Sequence, residues 1–315
     1  MMSLRPYFVV AHVVSQTISR YVSVNAPRRV QSMDALGKTG VEFWTRKEWD
    51  EFLTQERREA SGLLPWLTKY FVKADPSGDI LLEKIDAHLT WCRNAKANYI
   101  LLCDPLYPEA LREIPQPPLG FTILGDPSVL KSPKISVVGS RRTASPVLEE
   151  CHRLGYLLGR LGITTVSGGA YGCDIATHTG VLSTECKPLP AIIVFANGLR
   201  RLYPQGNKEQ FKAIYQSGGV LLSERLWDQT PMPYDFPIRN RIISGLSLWT
   251  LVMGATKHSG AMITARLALD QGREVSVYVP DREKYYCEGS EYLLQDGASV
   301  FCSAEEFCDR LAVYG

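Results

Sequence analysis

From Lys134 onward the chain repeats one pattern, a short apolar and β-branched run followed by a stretch with apolar residues at helical spacing. ISVVG precedes PVLEECHRLGYLLGRLG, ITTVS precedes GCDIATHTGVLS, AIIVFA precedes NKEQFKAIYQSG, and GVLLSE precedes RNRIISGLS; LWTLVMG, GAMITARLALDQG and EVSVYVP continue it. The apolar runs have no polar alternation, so both faces of each strand are buried, and strands separated by helices pair in parallel. The expected fold class is therefore α/β, an extended Rossmann-like doubly wound sheet that is mostly parallel. In such sheets ligands sit outside the carboxyl ends of the strands, so the residues after each strand are the candidates for function.

The texture before residue 100 is different. KEWDEFLTQERREA, SGLLPWLTKYFVKA and DILLEKIDAHLTWCRNAKAN carry apolar residues at helical spacing, with Ser61 and Asp79 placed as caps. This predicts a small helical domain over residues 1–98. DPLYPEALREIPQPPLGFTILGDPSVLKSP is rich in proline, which predicts an extended connector with short turns over 99–133. The Rossmann-like domain then occupies 134–315.

Composition excludes little but removes several classes. The 315 residues are 45% hydrophobic with a formal net charge of +2, an ordinary globular balance in which only local charge can indicate a polyanion partner. Eight cysteines occur without a CxxC pair or a metal-ligand rhythm with the five histidines, so reduced thiols, no metal and a cytoplasmic location are expected. The apolar run near the start, MMSLRPYFVVAHVVSQ, is too short to span a bilayer, and no membrane partner is expected.

Four strand exits share a chemistry. They are Gly139-Ser140-Arg141-Arg142-Thr143, Ser167-Gly168-Gly169-Ala170-Tyr171-Gly172, Asn197-Gly198-Leu199-Arg200-Arg201 and Lys257-His258-Ser259-Gly260. Glycine lets backbone N–H groups approach an anion, hydroxyls add donors, and a helix N-terminus directs about half a positive charge at the site. Glycines after strands are also ordinary chain-turning devices. Their combination with Arg141, Arg200, Arg201, Arg239 and Arg241 points instead to phosphate, which suits the planar guanidinium fork. The bland alternative for Arg239 and Arg241 is surface ion pairing with Glu224 and Asp235.

Catalytic readings find little support. No GxGxxG follows the first strand of the α/β region and no GxxxxGK[ST] occurs, so neither a dinucleotide cofactor nor a P-loop is expected. Asp174 and His178 share a helix face, but a cap and a buried polar pair explain them more simply than an acid/base couple. No catalytic residue and no cofactor are assigned. Tyr171, Tyr203 and Phe236 stand beside the phosphate loops as candidate stacking platforms for bases.

The strand-exit residues, in order and spacing, resemble the DNA-processing protein A (DprA, or Smf) family. The resemblance runs from about residue 99 to about 300, through SVVGSRRTAS, SGGAYGCDIATHTGVL, LRRLYPQGN and GGVLLSE to FPIRNRIISGLS and SGAMITARLALDQGREV. It implies a protein that binds single-stranded DNA and hands it to the recombinase RecA during natural transformation, as a homodimer and without a catalytic step. By that similarity Gly139, Ser140 and Arg141 line a phosphate pocket with Ser167, Gly168, Arg239, Asn240, Ser259 and Gly260. Arg239 and Arg241 would flank a helix start so that at least one faces a phosphate, while Asn240 ties the turn to a neighbouring loop. This chain departs from the family's usual acids, with Arg200 after the Gly-Leu of one loop and Gly254 where glutamate is common; Pro280-Asp281 and Gly289-Ser290-Glu291 also differ from its usual Pro-Gly and Gly-Thr-Asn. The alternative function is a small-nucleotide sensor, or a relative of the phosphoribohydrolases that cleave nucleoside monophosphates; the PGGxGTxxE loop of the latter is absent.

Overall fold

The computed structural model describes Val9, Val13 and residues 79–257, 259–280 and 288–314. Two of the expected N-terminal helices, KEWDEFLTQERREA and SGLLPWLTKYFVKA, lie outside the described residues, as do His258 and Asp281. The third is present as α1 (Asp79–Ala95).

The chain then runs through β1 (Asn98–Leu101), α2 (Glu109–Arg112), β2 (Gly120–Leu124), β3 (Lys134–Gly139), α3 (Ser145–Arg160), β4 (Thr164–Ser167) and α4 (Cys173–Leu182). It continues with β5 (Ala191–Phe195), α5 (Lys208–Gln216), β6 (Val220–Ser223), α6 (Asp235–Gly245), β7 (Trp249–Met253) and α7 (Gly260–Asp270). The last elements are β8 (Glu274–Tyr278), α8 (Glu288–Gln295), β9 (Ser299–Phe301) and α9 (Ala304–Tyr314).

All nine strands of these elements form one sheet in the order β1-β2-β6-β5-β4-β3-β7-β8-β9. The seven from β6 to β9 are parallel, while β2 adds antiparallel to β6 and β1 antiparallel to β2. This is the mostly parallel doubly wound sheet that the alternation indicates. Chain direction across the sheet reverses between β3 and β7, which makes their carboxyl ends the switch point where such folds bind ligands.

Residues 99–133 differ from the expected connector, because they contribute β1 and β2. Five residues, GFTIL, are enough to extend the sheet from β6, with Thr122 opposite Ser223 and Leu124 opposite Leu221. The prolines lie between these strands or after β2, where no ladder N–H is needed, so proline richness hides two short strands.

Successive side chains of the strands point to opposite faces and build separate cores. Ile192 and Val194 of β5 pack with Ile85 and Leu89 of α1, Ile242 and Ile243 of α6, and Ala265 of α7. On the other face Ile135 and Val137 of β3 meet Leu154 of α3 and Phe307 of α9, and Ile193 of β5 meets Phe211 and Ile214 of α5. Each fully buried Leu, Ile or Val contributes about 1.5–3 kcal/mol, and that burial fixes the register of the sheet and hence of its loops.

Candidate nucleic-acid interface

A cleft of about 500 Å³ opens at the switch point. Gly139, Ser140 and Arg141 reach it from β3, Arg239 and Asn240 from α6, and Ser259 and Gly260 from the start of α7. Seven of the residues expected from the sequence are thus brought together from three separate segments.

The helix carrying FPIRNRIISGLS begins at Asp235, so Arg239, Asn240 and Arg241 sit inside α6 and not at its start. Pro237 lies in the first turn, where its missing N–H is not required, and Asp235 accepts a hydrogen bond from the Met232 N–H at 2.8 Å. Residues two apart on a helix point about 200° from one another. Arg239 consequently faces the cleft while Arg241 faces away, to a buried ion pair with Glu224 at 2.6 Å. Arg241 was expected to bind phosphate, but the structure does not bring it to the cleft; the alternative pairing with Glu224 forms instead and is a buried one.

Arg239 is itself 9% exposed. Its guanidinium donates to the carbonyls of Gly168, at 3.2 Å, and Val194, and its Nε donates to Asn240 Oδ1 at 3.1 Å. A Cβ on Gly168 would lie 2.6 Å from Arg239 Nη2, so glycine at 168 is what allows the loop to rest on the guanidinium. Burial lowers the Arg239 pKa to about 10, against the opposing effect of Asp174, and the group remains charged at neutral pH. Arg141 is exposed at the mouth of the same cleft.

Asn240 ties α6 to the first residue of α7 and not to a loop, its Nδ2 donating to the Gly260 carbonyl at 3.4 Å. Gly260 opens α7 with free space where a Cβ would stand, and the hydroxyl of its N-cap residue Ser259 is buried without a hydrogen-bond partner among the described residues. A helix N-terminus with an unsatisfied donor beside it, facing two arginines, suits an anion bearing several acceptor oxygens. The Ser140 hydroxyl is turned to its own loop, donating to the Arg142 carbonyl and accepting from the Arg142 N–H.

Ser167 does not reach the cleft. It is buried, with its hydroxyl 2.8 Å from His178 Nε2, and the second ring nitrogen lies 3.3 Å from Thr165 Oγ1. Burial pushes the His178 pKa down to about 3, which keeps the ring neutral. Asp174 Oδ2 accepts from the N–H groups of Gly168 and Ala170 at 3.0 and 3.2 Å and shapes the loop after β4. The two do not pair with each other: Asp174 holds the loop after β4, and His178 bonds the hydroxyls of β4.

Asp174 also lines the cleft, and burial pushes its carboxyl up to about 6, opposed by the Ala170 N–H and by Arg239. An anion bound beside it favours the protonated form, so binding takes up a proton. Affinity for a phosphate ligand is expected to rise as pH falls from 7.5 through 6, and Asp174→Asn to flatten that dependence. Binding titrations at both pH values check this; a pH-independent wild type would refute it.

An apolar hollow adjoins the cleft, lined by Tyr171, Tyr203, Pro204 and Phe236 with Arg141 and Arg239 shared between the two. Tyr171 and Tyr203 are nearly half exposed, and the Tyr203 and Phe236 rings meet edge to face at 5.9 Å. Arg200 lies outside both cavities, its guanidinium 4.9 Å over the Trp227 ring. Sequence reasoning missed Trp227, which no motif marks, and Thr264, which lines the cleft one helical turn after Gly260.

Among the described residues no helix is long and apolar enough to cross a membrane, and no cluster of potential metal ligands occurs.

A family model described as DNA recombination-mediator protein A matches residues 98–312. Protein Smf of Escherichia coli is 34% identical over 230 residues, 73% of this chain, and the match spans 60% of that protein's own length. The DNA processing protein DprA of Bacillus subtilis is 34% identical over 229 residues, 72% of this chain and 76% of that protein. The structure of DprA from Streptococcus pneumoniae superposes with a TM-score of 0.63 at 29% identity, covering 84% of this chain and 93% of that one. That of DNA processing protein A from Helicobacter pylori, solved for its single-stranded DNA binding mode, gives 0.62 at 28% identity, covering 69% and 96%.

Proposed function

This chain belongs to the DNA recombination-mediator protein A family, and on that premise we propose that it binds single-stranded DNA through the cleft between β3 and β7. A backbone phosphate sits between Arg239, Arg141 and the N-terminus of α7, and a neighbouring base lies against Tyr171, Tyr203 and Phe236. The bound strand is delivered to the recombinase RecA in DNA uptake, with the protein acting as a homodimer and performing no chemical step.

The observation that carries this reading is the junction of two cavities of different character. One is cationic with an unsatisfied hydroxyl at a helix N-terminus, and the other is apolar and aromatic, with Arg141 and Arg239 common to both. A phosphate joined to a base needs both surfaces at that separation, and single-strand binders combine a basic track with aromatic platforms.

A labelled oligo-thymidine strand and a duplex, each titrated at two salt concentrations with wild type and Arg141→Ala, test the proposal. Strand-selective binding is expected, with a log–log salt slope of about −0.7 for each phosphate contacted. Arg141→Ala is expected to weaken it roughly tenfold, the value of one charge-assisted contact, with Tm unchanged because Arg141 is exposed. Unaltered affinity would remove Arg141 from the site.

The cleft volume, within the range of small-ligand pockets, favours one second reading, a nucleotide sensor. Tight binding of a mononucleotide together with no binding of the long strand would select it.

A further inference from the structure

We infer that Arg200, held over the Trp227 ring, and the adjacent exposed Arg201 form a second contact for a single strand after it leaves the cleft; this extends the DNA-binding reading above and rests on it. Arg200 was expected in the phosphate pocket and lies outside it, yet its position is built and not incidental.

The loops that leave β5 and β6 are zipped together at this point. Gly198 N–H donates to the Gln229 carbonyl at 2.8 Å and Arg200 N–H to the Trp227 carbonyl at 2.9 Å. A Cβ on Gly198 would stand 2.1 Å from the Leu226 carbonyl oxygen, so only glycine permits the approach. Asn197 Nδ2 donates to the carbonyls of Gly198, at 3.1 Å, and Arg201, at 2.6 Å, while the Ser223 hydroxyl donates to the Asn197 carbonyl at 2.7 Å. From below, Trp227 N–H donates to Nδ1 of the buried His88, and the Trp91 ring of α1 stacks on the indole at 6.4 Å.

The result is a fixed platform presenting exposed cations. Arg200 and Arg201 are both exposed, and among the described residues the ion pairs at this edge of the sheet are made by Arg225 with Asp235 and Arg241 with Glu224, not by them. Holding a guanidinium over an indole reduces the side-chain entropy lost on binding and leaves its donors for a phosphate. The outer side of the guanidinium plane is a surface on which a base can stack.

Position in the sheet names the occupant. The cleft lies at the ends of β3 and β7, the aromatic hollow takes Gly168 and Ala196 from the ends of β4 and β5, and the Trp227 platform stands at the ends of β5 and β6. These three sites follow one another along a single edge over three strand spacings, roughly 14 Å. Tyr203, in the hollow, is two residues from Arg201. A chain that repeats phosphate and base at short intervals, and that is already bound at the first two sites, reaches the third without turning.

The test compares a 5′-phosphorylated thymidine dinucleotide, which fills only the cleft and hollow, with an oligo-thymidine of about fifteen nucleotides, which spans the edge. Arg200→Ala/Arg201→Ala is expected to leave the dinucleotide affinity unchanged. It is expected to weaken the longer strand roughly tenfold and to reduce the magnitude of its salt slope by about 1.4, the share of two phosphates. Arg239→Ala should weaken both ligands, which separates the two sites. An unchanged long-strand affinity and slope in the double variant, with or without a loss of Tm, would overturn the second contact while leaving the cleft reading intact. Failure of wild type to bind either ligand would overturn both.

Discussion

Arg239→Ala is expected to lower single-strand affinity by one to two orders of magnitude and, unlike Arg141→Ala, to destabilise the fold. The affinity loss follows from the charge-assisted hydrogen bonds a phosphate makes with a guanidinium, each worth about 1.5–3 kcal/mol. The stability loss follows from position. Arg239 is buried, holds the carbonyls of Gly168 and Val194, and its charge stabilises the ionised form of the buried Asp174 carboxyl more than Arg141 does. Removing one partner from such an arrangement costs about 3–5 kcal/mol, because the remaining groups stay buried and unpaired. Loss of Arg239 also removes a pull that lowers the Asp174 pKa, so this carboxyl should titrate higher in the variant. Denaturant unfolding measures the first effect, and a titration under conditions where the variant is fully folded measures the second. A folded Arg239→Ala protein with wild-type affinity would remove the cleft from the binding site.

Arg241→Ala is expected to show the opposite division, a loss of about 3–5 kcal/mol in stability with single-strand affinity of the folded protein unchanged. Arg241 and Glu224 are both nearly buried, and neither lines the cleft. The Arg241 backbone carbonyl also accepts from Gln271 at 3.1 Å, tying α6 to the end of α7, and the alanine variant retains that bond. Deleting the guanidinium therefore removes the ion pair with Glu224 while keeping that tie. Replacing both members, as Arg241→Met with Glu224→Leu, should cost less than replacing Arg241 alone, since the double change leaves no charge behind. Equal or additive losses in that cycle would show that the pair carries no coupling, and weaker DNA binding by folded Arg241→Ala would return Arg241 to the site.

Much of the fold is legible in the chain because its signals are local. The unalternated runs ISVV, AIIVF and WTLVM mark strands covered on both faces, and the helical stretches between them require parallel crossovers. The two antiparallel strands at Asn98–Leu101 and Gly120–Leu124 were not legible, since runs of four and five residues among prolines give too little periodicity to separate them from a connector. The candidate site was legible as a set of strand exits, and the cleft gathers Gly139, Ser140, Arg141, Arg239, Asn240, Ser259 and Gly260 as the sequence suggests. Ser167 and Arg241 have local context that is equally polar and equally close to glycine, so the sequence does not separate them from that set.

The alternation of strands and helices, the glycines and hydroxyls at the strand ends, and the presence of arginines near them are all written in the order of residues. What each arginine does is set by the assembled fold. Arg239 and Arg241 differ by two residues in one helix, and the phase of that helix turns one to the cleft and the other to Glu224. Arg200 follows a strand exit as Arg141 does, yet the zipped loops after β5 and β6 lay it on Trp227. A guanidinium's role depends on which acceptor, ring or open cavity lies within its reach, and those neighbours come from segments distant in the chain, brought near only when the sheet is assembled.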